Sequence, residues 1–175
     1  MVSKHIVITG FMGAGKTTVA KALGRLLDRD VVDLDEAITK RERRSPQQII
    51  EEDGESVFRD VETRILREIL KVNPMAVLAL GGGTWTIPGN RQALSEHGSR
   101  SVWLDVPFEL CWERIKASEQ ARPLAISHEA AKRRYQERKG VYGLADFRVE
   151  GREEKSPAEI AVLIAALLSR KLENI

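Results

Sequence analysis

Short apolar runs alternate with helical patterns along nearly the whole chain. Ile6-Val7-Ile8 is a β-branched run without a polar break, and residues 5–9 read as a buried strand. Residues 16–28 follow as a helix with Val19, Ala20, Leu23, Leu26 and Leu27 on one side. Residues 31–35, Val-Val-Asp-Leu-Asp, read as a second short strand leading into a short helical piece. Ser45-Pro46-Gln47-Gln48 has the form of a capping box with proline at the first helical position, and Gly54 ends that helix. Residues 55–71 predict a longer helix. Residues 75–80 form a third apolar strand that runs straight into Gly81-Gly82-Gly83.

Residues 87–97 are helical and stop at Gly98, and residues 102–104 read as a fourth strand. Pro107 opens the next helix, residues 118–128 are polar and irregular, and a strongly charged helix covers about 128–142. Residues 147–149 give a fifth strand. Ser156-Pro157-Ala158-Glu159 is another capping box, leading an apolar helix to about Leu172. Strands that alternate with helices predict an α/β fold, a parallel sheet covered on both faces, with ligands outside the carboxyl ends of the strands. At 175 residues the expectation is a single domain.

Composition narrows the function classes. The chain is 42% hydrophobic and 31% charged with a net charge of +2, and its basic and acidic residues are interspersed. That pattern makes no case for nucleic acid. No apolar stretch approaches the roughly 18 residues of a membrane span, and the first apolar run is too short for a secretory leader. The one cysteine, Cys111, rules out an internal disulfide framework and a cysteine-rich metal site. His5, His97 and His128 show no metal-ligand spacing. A cytoplasmic protein is the resulting expectation.

Chemistry concentrates where strands end. Gly10, four residues, then Gly15-Lys16-Thr17 fits the phosphate-binding pattern G-x-x-x-x-G-K-[ST] between the first strand and the first helix. Backbone N–H groups of Gly13, Ala14, Gly15, Lys16, Thr17 and Thr18 would face phosphate oxygens. Lys16 would reach the β- and γ-phosphates and the Thr17 hydroxyl a Mg²⁺ ion. Asp33 and Asp35, two apart on a strand, would put both carboxylates on one face; the plainer alternative is that Asp35 caps the following helix.

In the helix of residues 55–71, Phe58, Val61, Ile65, Leu66 and Ile69 share a face, with Glu62 near its middle and Arg59 at its border. A buried carboxylate needs a cation, which Arg59 can supply. The pair either serves the fold alone or stiffens Arg59 to grip an anionic substrate group. Gly81-Gly82-Gly83 implies a ligand or chain segment close to the backbone. Asp105 reads as a helix cap before Pro107. Arg122 lies in the long irregular stretch, where it is either a solvated side chain or a lid residue over a transferring phosphoryl group. Lys132, Arg133, Arg134, Arg138 and Lys139 crowd the next helix, and periodicity singles out none of them.

Together these pieces resemble shikimate kinase, a nucleoside-monophosphate-kinase-like P-loop family of aromatic amino-acid synthesis. The likeness covers essentially the whole chain. It rests on residues 10–18, Asp33-Leu34-Asp35, Phe58-Arg59 with Glu62, Gly81-Gly82-Gly83, Arg122-Pro123-Leu124, and Arg138 ahead of Val141-Tyr142 and Ala145-Asp146. The resemblance implies a three-layer α/β/α fold with a five-stranded sheet of order 2-3-1-4-5. It implies ATP-dependent phosphorylation of the 3-hydroxyl of shikimate, with Mg²⁺ held by Thr17 and, through water, Asp33.

By the same resemblance Asp35 binds the acceptor hydroxyl, Arg59 and Arg138 hold the substrate carboxylate, and Gly81, Gly82 and Gly83 pack against the ring. Arg122 would be the lid arginine on the ATP phosphates, in a lid of about residues 112–128, and the substrate-binding region would span about 33–62. A monomer is the family expectation. Ala125 and Trp85 depart from the family pattern, and Arg114 is a candidate to stack on adenine. The rival readings are another small-acid or nucleotide kinase of this fold, such as gluconate kinase, and a non-catalytic nucleotide-binding interaction protein. That last reading expects losses at Lys16, the aspartates or Arg122, and none is lost.

Overall fold

Ile6, Val7 and Ile8 are each at most 1% exposed, although successive strand residues point to opposite faces, so the first strand is covered on both sides. The computed structural model describes residues 5–118, 127–152 and 154–170. In it β1 (Ile6–Thr9), β2 (Val31–Asp33), β3 (Val77–Ala79), β4 (Arg100–Asp105) and β5 (Phe147–Glu150) form one sheet of order β2-β3-β1-β4-β5. All its pairings are parallel, as the alternation of elements predicts. The order is the one the family resemblance implies.

The helices are α1 (Lys16–Leu27), α2 (Leu34–Glu42), α3 (Pro46–Asp53), α4 (Glu55–Val72), α5 (Pro88–Glu96), α6 (Phe108–Ala117), α7 (His128–Tyr142) and α8 (Pro157–Arg170). Both capping boxes form. Gln48 N donates to Ser45 Oγ while Ser45 N donates to the Gln48 side chain. Ser156 and Glu159 do the same at the start of α8. A short 3-10 turn, Thr84–Thr86, follows the triple glycine. Among the described residues no helix is long and apolar enough to cross a membrane.

Two expectations are corrected. β2 stops at Asp33, and Asp35 lies in the first turn of α2, so the two carboxylates do not share a strand face. The reason is a cap: Asp33 accepts hydrogen bonds from the backbone N–H groups of Asp35 (2.9 Å) and Glu36 (3.1 Å). A side chain that satisfies two open helix donors outcompetes one more residue of strand. Asp33, not Asp35, is therefore the cap. Asp105 does not cap α6, which begins without a side-chain cap. It is 8% exposed and pairs with Arg148 of β5 at 2.6 Å, and that guanidinium lies over the Trp103 ring.

Candidate active site

One end of the site is the β1–α1 connection, the loop that fits the phosphate-binding pattern. Gly13 and Gly15 adopt φ of 76° and 89°, values that side-chain-bearing residues rarely take. A β-carbon on Gly13 would also lie 2.5 Å from the backbone oxygen of Cys111, so the loop packs directly on α6. No side chain caps α1 and its first turn carries no acidic residue, which leaves its leading N–H groups suited to an anion. Lys16 Nζ donates to the Phe11 carbonyl at 2.8 Å, arching back over the loop. The Thr17 hydroxyl donates to Asp33 Oδ2 at 2.5 Å, which joins the loop to the end of β2. Arg114 Nη1 stands 3.3 Å from the Ala14 carbonyl, at the rim of the same loop.

A second end is built on α4. Glu62 is fully buried in the apolar stripe, where the sequence pattern puts it. Arg59 Nη1 donates to its carboxylate at 2.9 Å, and the Thr84 hydroxyl donates to the other oxygen at 2.6 Å. The other Arg59 fork donates to Glu55 at 3.0 Å. Burial pulls the Arg59 pKa down, but the Glu62 charge and hydrogen bonds to Glu62 and Glu55 outweigh it and hold the guanidinium above its ordinary value. A permanently charged, doubly anchored fork results.

The triple glycine is the seam between the two ends. At Gly81 a β-carbon would lie 3.0 Å from Asp35 Oδ1 and 3.1 Å from both Glu62 Oε1 and Thr84 Oγ1. At Gly83 it would lie 2.5 Å from Arg59 Nη2. At Gly82 it would meet the backbone nitrogen of Met12 in the phosphate loop at 3.3 Å and Arg138 Nη1 at 3.8 Å. Asp35, Arg59, Arg138 and the phosphate loop thus converge on three consecutive residues. α7 is tied to this seam by the Tyr142 hydroxyl, which donates to the Gly82 carbonyl at 2.5 Å. Burial pushes the Tyr142 pKa up to about 12, against the opposing charge and hydrogen bonding of Arg138. Trp85 is buried and donates to the Val141 carbonyl at 3.0 Å, so it anchors the seam to α7.

Among the described residues no three His, Cys, Asp or Glu side chains cluster as a metal site. The Thr17 hydroxyl and Asp33 carboxylate are nonetheless hard oxygen donors side by side at the phosphate end. Mg²⁺, which keeps most of its waters and asks for one or two protein oxygens, fits that donor set. Arg122 lies outside the described residues.

The shikimate kinase family model matches residues 12–169. A shikimate kinase of Aquifex aeolicus is 38% identical over 158 residues, covering 89% of this chain and 90% of that protein. One from Persephonella marina is 36% identical, covering 90% and 94%. The chain belongs to the shikimate kinase family. The structure of the Acinetobacter baumannii shikimate kinase in complex with shikimate superposes with a TM-score of 0.88 at 31% identity, covering 96% of this chain and 94% of that one. A gluconokinase from Sinorhizobium meliloti shares the P-loop kinase fold at a TM-score of 0.65, but at 18% identity the likeness is one of fold alone.

Some participants escaped the sequence reading. Glu55 could have been found, because it stands four residues before Arg59 on the same helix. Thr84 could not, since nothing in the pattern after the glycines sends its hydroxyl to a carboxylate 22 residues earlier. Among the basic residues of α7, only packing separates Arg138, at the seam, from Lys132, which reaches Glu109.

Proposed function

We propose that this chain transfers the γ-phosphoryl group of ATP to the 3-hydroxyl of shikimate, giving shikimate 3-phosphate and ADP. The observation that carries the reading is the convergence on the triple glycine. Two arginines, one of them locked by a buried glutamate, stand beside Gly82 and Gly83, Asp35 stands beside Gly81, and the phosphate loop closes the other side. A small hydroxylated carboxylic acid has the groups to satisfy that set.

In this reading the substrate carboxylate lies between Arg59 and Arg138, with Gly81, Gly82 and Gly83 leaving room for the ring. A guanidinium fork suits a carboxylate because both are planar and can pair through two parallel hydrogen bonds. Asp35 accepts the hydrogen bond of the 3-hydroxyl and takes its proton as the oxygen bonds to phosphorus. The bond from phosphorus to the bridging oxygen breaks, and ADP leaves with that electron pair. Gly13, Ala14, Gly15, Lys16, Thr17 and Thr18 hold the phosphates through backbone N–H groups and the Lys16 charge. Arg122 covers the transferring group as the lid arginine. Thr17 directly, and Asp33 through water, would hold Mg²⁺, which when bound would offset phosphate negative charge. The enzyme works as a cytoplasmic monomer with its substrate-binding region at about 33–62 and its lid at about 112–128.

The test is ADP release measured with shikimate, gluconate and nucleoside monophosphates in parallel, with Mg²⁺ present. Turnover with shikimate alone is expected. Preference for gluconate or a nucleotide, or no turnover with any acceptor, would overturn the assignment.

A further inference from the structure

α7 carries a second arginine near enough to Arg138 and Arg59 to feel their charge. Arg134 stands one turn before Arg138, and residues four apart on a helix are neighbours. It is only half-buried as a residue, yet its Nη1 is sealed from solvent and has no hydrogen-bond partner. Among the described residues no carboxylate lies within ion-pair distance of it. A buried guanidinium nitrogen without an acceptor is costly, and such groups in folded proteins call for an explanation.

The surroundings make the cost larger. Burial lowers the pKa of Arg134, and the like charges of Arg138 and Arg59 lower it further, against the opposing pull of Glu55 and Glu137. Of those two acids, Glu55 is already hydrogen-bonded to Arg59 and Glu137 is exposed. Arg59 is matched by Glu62 and Glu55, so its charge is largely compensated before any ligand arrives. The uncompensated positive charge at this end therefore comes from α7.

We propose that Arg134 completes a three-arginine anion site with Arg59 and Arg138, acting as a specificity-determining residue whose missing counter-charge is the substrate carboxylate. Stability is given up in the empty enzyme and recovered when the acid binds. The role is electrostatic: Arg134 strengthens the pull on a carboxylate held by its two neighbours, and takes no part in phosphoryl transfer. The inference rests on the shikimate reading above.

The test compares wild type, Arg134→Gln and Arg134→Lys in the same ADP-release assay, with melting temperatures of the ligand-free proteins. Arg134→Gln should raise KM for shikimate about tenfold, the factor that about 1.4 kcal/mol represents. Its kcat and KM for ATP should stay within about twofold of wild type, and Arg134→Lys should recover most of the shikimate affinity. The ligand-free Arg134→Gln protein should melt no lower than wild type, because it loses a repulsion. An unchanged shikimate KM, an equal rise in KM for ATP, or a lower melting temperature with no rescue by lysine would overturn the proposal. Wild type that fails to turn over shikimate would instead overturn the functional assignment, so the two failures are told apart.

Discussion

The two glycine clusters at the sheet edge use the same residue for different physical reasons. In the phosphate loop Gly13 and Gly15 hold left-handed backbone, and the added atom at Gly13 would strike the backbone of α6. In Gly81-Gly82-Gly83 none of the three has a positive φ; Gly83, for example, sits at φ −102°. What a β-carbon would strike there is mostly side chain, the ends of Asp35, Glu62, Thr84 and Arg59. One cluster shapes the backbone of a loop, and the other clears space so that separate side chains can meet. Damage to the first should disturb nucleotide, and damage to the second should disturb the acid.

The largest effect expected is at the second cluster's anchor. Arg59→Ala leaves Glu62 buried and without its cation, a change that costs about 3–5 kcal/mol in comparable pairs. Chemical denaturation should report that loss, and shikimate affinity should fall while ATP affinity is kept. Gly13→Ala comes next. Neither its φ of 76° nor the Cys111 backbone oxygen can yield cheaply, and misplacing the loop by about 1 Å should lower kcat/KM for ATP by about 10²-fold. If Gly13→Ala instead weakened shikimate and spared ATP, the division between the clusters would be wrong.

Thr84→Val keeps the shape but removes the hydrogen bond to the Glu62 carboxylate. A bond to a charged group contributes about 1.5–3 kcal/mol, and each kcal/mol shifts Tm by about 2–4 °C in a domain of this size. Unchanged melting would mean that Glu62 does not depend on Thr84. Gly83→Ala is the mildest and the most diagnostic. The obstructing atoms belong to the Arg59 guanidinium, which can shift only by straining its pairs with Glu62 and Glu55, so the protein should fold with some loss of stability while KM for shikimate rises up to about tenfold, about 1.4 kcal/mol. A rise in KM for ATP of the same size would contradict the comparison.

The sequence exposed what is periodic or local and hid what depends on packing. The alternating elements, the phosphate loop and the misplaced-looking Glu62 in an apolar stripe were all legible, because each is a departure or a match within one short window. The role of Asp33 was not. Strand and cap compete for that residue, and the backbone amides of Asp35 and Glu36 decide the outcome. Asp105 was misread because its partner, Arg148, comes 43 residues later on the neighbouring strand. The basic run of α7 is readable only from packing, which puts Arg138 beside Gly82 and Lys132 beside Glu109.

The proposed recognition of a carboxylate through Arg59, at the seam between the clusters, is open to a direct test. The direct measurement is kcat/KM for shikimate against its analogue with the carboxylate reduced to an alcohol, in wild type and in Arg59→Lys, which keeps a cation for Glu62. Wild type should prefer the acid by roughly 10⁴-fold, as sites built around a substrate's polar group do. In Arg59→Lys that preference should shrink at least about tenfold, because a point charge cannot reproduce the fork. A preference for the acid that is the same in both proteins would contradict the account.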